Sequence, residues 1–197
     1  FIGVTVPEQR AIAKKYKDIT LHDNETLLQS RIHEERLTAL FILDVKFKRA
    51  DAEGRKNIFE LYLRNSQYVN NWDLVDSSAR QIIGEYLLDK KITLLLLLAK
   101  SKNMWERRMA AIATFAFLSR NDSKPTYLIA DLLLSDRDDL IQKAVGWMLR
   151  EAGKKVSSKE LERYLQKNYE KMGRTALRYA IERFDEDKRK MYLSGLV

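Results

Sequence analysis

Apolar residues recur along this chain at helical spacing. Leu37, Leu40, Phe41 and Val45 fall three and four positions apart within 31–48, and the same cadence returns through the rest of the sequence. No stretch alternates apolar and polar residues between Gly or Asn turns, so the pattern predicts an all-α protein. Helices are expected near 6–16, 24–30, 31–48, 58–64, 73–88, 92–100, 105–118, 126–134, 141–152, 157–168 and 174–184. Pro7 suits the first turn of the first of them. Polar breaks separate several others: 51–57 around Gly54, 101–103, and 120–124 before Pro125. Gly153 is read as the C-cap of 141–152, and Asp185 to Lys190 as a solvated helix end.

The helices fall into pairs, and the second member repeats. Arg36-Leu37-Thr38-Ala39-Leu40, Arg108-Met109-Ala110-Ala111-Ile112 and Lys143-Ala144-Val145-Gly146-Trp147 read as versions of one segment. They are spaced 72 and then 35 residues apart, with the helix at Asp73 filling the wider gap. A period near 36 with paired helices predicts a HEAT-like solenoid, a single repeat domain over 1–197 that curves so that the second helices line a concave wall. That register places Arg36, Arg80, Arg108, Lys143 and either Arg174 or Arg178 on one basic inner face. Gly146 lies inside a helix, where Gly costs about 1 kcal/mol relative to Ala. Its presence there implies a close approach by another helix or a ligand.

Composition narrows the function classes. The 197 residues are 45% apolar and 32% charged, which describes a folded globular chain. A formal net charge of +8 points to a polyanionic partner, most simply nucleic acid. There is no Cys, which excludes disulfides and thiolate metal sites and fits a reducing compartment. The longest apolar run, Ile92 to Ala99, is far short of the roughly 20 residues that span a bilayer. The chain opens Phe1-Ile2-Gly3-Val4 with neither a signal peptide nor an initiator Met, so residues upstream of Phe1 are expected.

Candidate chemistry concentrates in Asn70-Asn71-Trp72-Asp73-Leu74-Val75-Asp76-Ser77-Ser78. With Asp73 as N-cap, Trp72 would stand at the rim and Asp76 in the first turn, while Leu74, Val75, Ile82 and Ile83 enter the core. The two acids could equally be a capping pair that satisfies free amides. Trp105 is read as a core residue, whereas core and site are both open for Trp72 and Trp147. His22 and His33 have no ligand spacing and are read as surface residues, and His33-Glu34-Glu35 lacks the second His of a zinc helix. No phosphate loop, dinucleotide fingerprint or nucleophile triad is present.

Four motifs, in order along nearly the whole chain, carry a resemblance. They are Asn71 to Ser77, Trp105-Glu106-Arg107-Arg108-Met109-Ala110, Ile141 to Glu151 and Arg174 to Ala180. Together with the opening Gly3 to Arg10, they resemble the DNA alkylation-repair, AlkD-like glycosylase family. The resemblance implies a HEAT-like fold and monofunctional excision of N3- and N7-alkylated purines such as 3-methyladenine and 7-methylguanine from duplex DNA. It assigns Asp76 as catalytic carboxylate, Trp72 and Trp147 as aromatic walls beside it, and Arg108 as a backbone-phosphate contact. The basic register adds Lys143, Arg36, Arg80 and Arg174 as DNA-binding residues. An N-terminal helix that family members carry is absent from this sequence. No cofactor or metal is expected. The expected partner is alkylated double-stranded DNA, bound by a monomer in the cytoplasm or nucleoid and away from membranes. The alternatives are a non-catalytic DNA-binding HEAT protein on the same basic groove, and a scaffold for an acidic protein.

Overall fold

A computed structural model describes residues 1–197, all of it helix and turn. The chain divides into two compact units, Phe1–Lys90 and Lys91–Val197. In the first, α1 (Val6–Lys15), α2 (Leu21–Leu28) and α4 (Ala52–Arg64) pack against α3 (His33–Arg49). The short α5 (Trp72–Asp76), a π-turn over Arg80–Gly84 and α6 (Glu85–Leu87) complete the unit. Leu37, Leu40 and Phe41 of α3, Leu61 and Tyr62 of α4, and Leu74, Val75, Ile82 and Ile83 share its buried interior. Each such side chain contributes about 1.5–3 kcal/mol by leaving water.

The second unit is built around α11 (Asp139–Lys155). Against it pack α8 (Met104–Ala113), α9 (Phe115–Leu118), α10 (Lys124–Leu133), α12 (Ser158–Asn168) and α13 (Arg174–Ala180). α7 (Thr93–Ala99) lies on α8 and α10, and α14 (Glu186–Ser194) is tied to α12 by Lys188 Nζ to Glu162 at 2.5 Å. The close approach implied by Gly146 is that of a helix. A Cβ at this position would stand 2.4 Å from the Ala176 carbonyl oxygen and 2.6 Å from Tyr179 Cβ, so α13 sits directly on α11.

Several boundaries differ from the expectation, each for a visible reason. The polar stretch 51–57 is no break: Asp51 caps α4, its carboxylate accepting from the Gly54 amide at 2.8 Å, and Gly54 lies in the first turn. Gly153 does not end α11, which runs on to Lys155. It lacks a side chain because Leu161 of α12 would meet its Cβ at 2.4 Å. Asp185 to Lys190 is a helix start, with Asp185 accepting from the Lys188 amide at 2.9 Å to cap α14. The helix expected over 73–88 is interrupted between Ser77 and Ala79 and then underwound into the π-turn.

Candidate active site

Asn71, not Asp73, begins α5. Its side-chain oxygen accepts from the Trp72 amide at 2.7 Å, which makes Trp72 the first helical residue. Asp73 falls in the first turn and is committed elsewhere. One carboxylate oxygen accepts from the Leu74 amide at 2.9 Å, and the other lies 2.7 Å from His33 Nε2. His33 is therefore no surface residue. It is 7% exposed, closed over by the Phe1 ring at a centroid distance of 4.6 Å, and it joins the start of α3 to α5. His22 is exposed, as expected. Sequence reasoning missed the His33–Asp73 pair because forty positions separate the partners and no local spacing links them.

One turn after Trp72 comes Asp76, and an i, i+4 pair on a helix shares a face. Trp72 is 53% exposed and Asp76 is half-buried, while Leu74 and Val75 between them point fully inward. Below this face the Ser78 hydroxyl donates to the Leu74 carbonyl at 2.6 Å and meets the Tyr62 hydroxyl at 2.9 Å. Burial pushes the Tyr62 phenol well above its ordinary value, with the Ser78 contact opposing and the Asp76 charge adding to the rise. Tyr62 therefore stays neutral beneath this face.

The two basic residues of the first unit predicted for the inner face, Arg36 and Arg80, have different surroundings. Arg36 donates to the Ser30 carbonyl at 2.9 Å and to the Asn70 side chain at 3.2 Å, so it flanks the approach to Trp72. Arg80 instead lines a cavity of about 310 Å³ with Asp44, Phe47 and Glu85. Asp44 and Phe47 belong to the far half of α3, and the eleven residues from His33 to Asp44 span about 16 Å of helix.

In the second unit Arg108 is only 5% exposed and gives a guanidinium N–H to the Leu140 carbonyl. Lys143 reaches back one turn to Asp139 at 2.6 Å. This partner raises the Lys143 pKa, and the same contact, with Thr175 behind it, lowers that of Asp139. Trp147 is half-buried beside the Phe115 ring, 6.4 Å between centroids. Arg174 is exposed and donates to the Leu193 carbonyl at 2.6 Å. Trp105 is half-buried, like Trp147, and so is not the fully buried core residue its position suggests. No group of three or more His, Asp or Glu side chains comes together in a way that could hold a metal ion.

A family model described as DNA alkylation repair enzyme matches residues 1–184. The chain belongs to that family. Its all-helical architecture is the AlkD-like helical-repeat fold. Among solved structures it is similar to a "Predicted DNA alkylation repair enzyme from Enterococcus faecalis", at 19% identity and a TM-score of 0.74 over 94% of this chain and 89% of the other. It is also similar to AlkD2 from Streptococcus mutans, at 20% identity and a TM-score of 0.63 over 94% and 93%. At such identities the likeness speaks to the fold. No curated protein matches the chain by sequence. No helix of this DNA alkylation repair family member is long and apolar enough to cross a membrane.

Proposed function

We propose that the protein is a monofunctional DNA glycosylase for positively charged N3- and N7-alkylated purines in duplex DNA, with Asp76 as the catalytic carboxylate. The observation that supports this reading is the placement of Asp76, half-buried and one helical turn from an indole that is 53% exposed, so that the carboxylate and the ring share one face of α5.

An N3- or N7-alkylated purine carries a positive charge and leaves its sugar readily. As the C1′–N bond breaks, its electron pair goes to the base and oxocarbenium character grows on the deoxyribose. A carboxylate beside that carbon stabilises the charge and orients a water molecule. The water's oxygen then bonds to C1′ and its proton passes to solvent. At about 4 Å and an effective dielectric near 20 the attraction is roughly 4 kcal/mol. That corresponds to about three decades of rate. Three decades suffice for a labile cationic lesion and not for an intact base, so the lesion's own charge supplies selectivity. The Trp72 face adds cation–π attraction of roughly 0.5–2 kcal/mol. Arg36, Arg80, Lys143 and Arg174 supply phosphate contacts in this reading, and Trp147 and Arg108 take the roles that the family resemblance assigns.

The test is chromatography of bases released from methylated duplex DNA. The intact protein should release 3-methyladenine or 7-methylguanine, and Asp76→Asn should slow release about a thousandfold with duplex binding retained. Salt-sensitive duplex binding with no base release by the unaltered protein would leave a DNA-binding repeat protein in place of the enzyme.

A further inference from the structure

In the second unit, between α10 and α12, lies an open groove of about 1110 Å³ that the proposed excision chemistry does not use. Its floor carries two tyrosines, Tyr127 and Tyr164, whose rings stack at a centroid distance of 4.8 Å and an interplanar angle of 27°. Four cations line it: Lys124, Arg163, Lys167 and Lys171. All four are exposed, and none forms an ion pair.

Three carboxylates also line the groove, and each is already engaged. Asp131 accepts from the Tyr164 hydroxyl at 2.8 Å, Glu160 from the Ser123 hydroxyl at 2.8 Å, and Asp122 from the Lys124 amide at 3.0 Å. The acids thus serve the protein's own donors, while the cations face outward without partners. Arg163 and Lys167 are one turn apart on α12, about 6 Å along its axis. Lys171 continues the row through the 3-10 turn Tyr169–Lys171. The Tyr127 hydroxyl is shielded from solvent and makes no hydrogen bond.

We propose that this groove binds single-stranded nucleic acid, with phosphates along the row of cations and an unpaired base on the tyrosine pair. A row of cations beside an aromatic floor is how sequence-tolerant single-strand binding is achieved. A duplex would offer the groove its phosphates but keep its bases turned inward, leaving the tyrosines without a partner. Single strands flanking a lesion or a repair intermediate are the class of ligand that uses both features.

The experiment is fluorescence anisotropy of a labelled oligothymidylate of about ten nucleotides, titrated with the full chain over a range of salt. R163E/K167E, both exposed positions, should weaken binding at least tenfold and reduce the salt slope by about 1.4, or 0.7 for each lost phosphate contact. Release of bases from methylated duplex should be unchanged in that variant. Tyr164→Phe keeps the ring and should bind as the parent does, while Tyr164→Leu should bind several-fold more weakly. An oligothymidylate affinity unmoved by R163E/K167E would overturn the proposal. So would an equal loss in the matched reversal K14E/K15E on α1, or an abasic oligomer of the same length that binds as tightly.

Discussion

α5 is five residues long and bounded by a turn and a π-turn, while α11 runs seventeen residues without interruption. The short helix buries Leu74 and Val75 and is oriented by side-chain hydrogen bonds. His33 grips Asp73 from one side, and Tyr62 and Ser78 brace the Leu74 carbonyl from the other. The long helix is held by packing, with backbone against backbone where Gly146 meets Ala176. Polar tethers fix orientation and can be broken one at a time. Close packing is less forgiving, because an added atom there meets main chain that has nowhere to go. The segment proposed for the chemistry is thus of the adjustable kind, and the long helix of the second unit is the rigid kind.

The sharpest way to break the contrast is Gly146→Ala. Helix propensity alone would favour the change by about 1 kcal/mol. Overlap with the Ala176 carbonyl opposes it, and we expect a net loss of about 3 kcal/mol. Thermal unfolding should show this as a fall of roughly 6–12 °C. A rise in melting temperature would mean that α13 yields easily and the contrast is false.

His33→Phe probes the tethered side. It keeps an aromatic ring against Phe1 and leaves the Asp73 carboxylate without its donor, at a loss of about 2 kcal/mol in urea unfolding. On the proposed chemistry, base release should also fall at temperatures where the variant stays folded, because α5 loses its anchor to α3. Release at the parental rate would show that the tether serves stability alone.

The smallest effect concerns a tether away from the site. Glu25 accepts from Arg64 at 2.9 and 3.0 Å and from Asn65 at 2.6 Å. Those contacts, Arg64 foremost, pull its pKa from 4.5 down to about 2. The folded value lies below the unfolded one, so the stabilisation is present above about pH 4.5 and fades as pH falls towards 2. Arg64 is half-exposed, and solvent screening reduces the gain to about 1 kcal/mol. The stability gap between the parent and Glu25→Gln should therefore be flat at neutral pH and close progressively below pH 4.5.

Much of the fold was legible because helical periodicity is local. The apolar cadence of α3, α8 and α11 locates the core, and an interior Gly146 signals a close approach by a helix or a ligand, which the structure shows to be α13. The four motifs were enough to suggest the family. What stayed hidden depends on partners distant in sequence. Asn71 and Asp73 are both good cap formers, and only the His33 contact shows that Asp73 has other business. Gly153 looks like a C-cap until Leu161 is seen to fill the space beside it. Arg80 shares a sequence register with Arg36, yet the interruption after Ser77 and the π-turn carry it to the other half of α3. The burial of Arg108 also has no local signal, since it depends on the Leu140 carbonyl of the next repeat.

The π-turn over Arg80–Gly84 accommodates one amino acid more than a regular α-helix would over the same rise. Everywhere else in these helices, loss of a single position would swing all later side chains round by roughly 100° and turn a buried face outward. Here the surplus can be surrendered, the chain closing into ordinary α-helix while Leu87 and the residues beyond keep their facing. The stretch just past Asp76 is therefore where a shortened descendant of this protein could still fold.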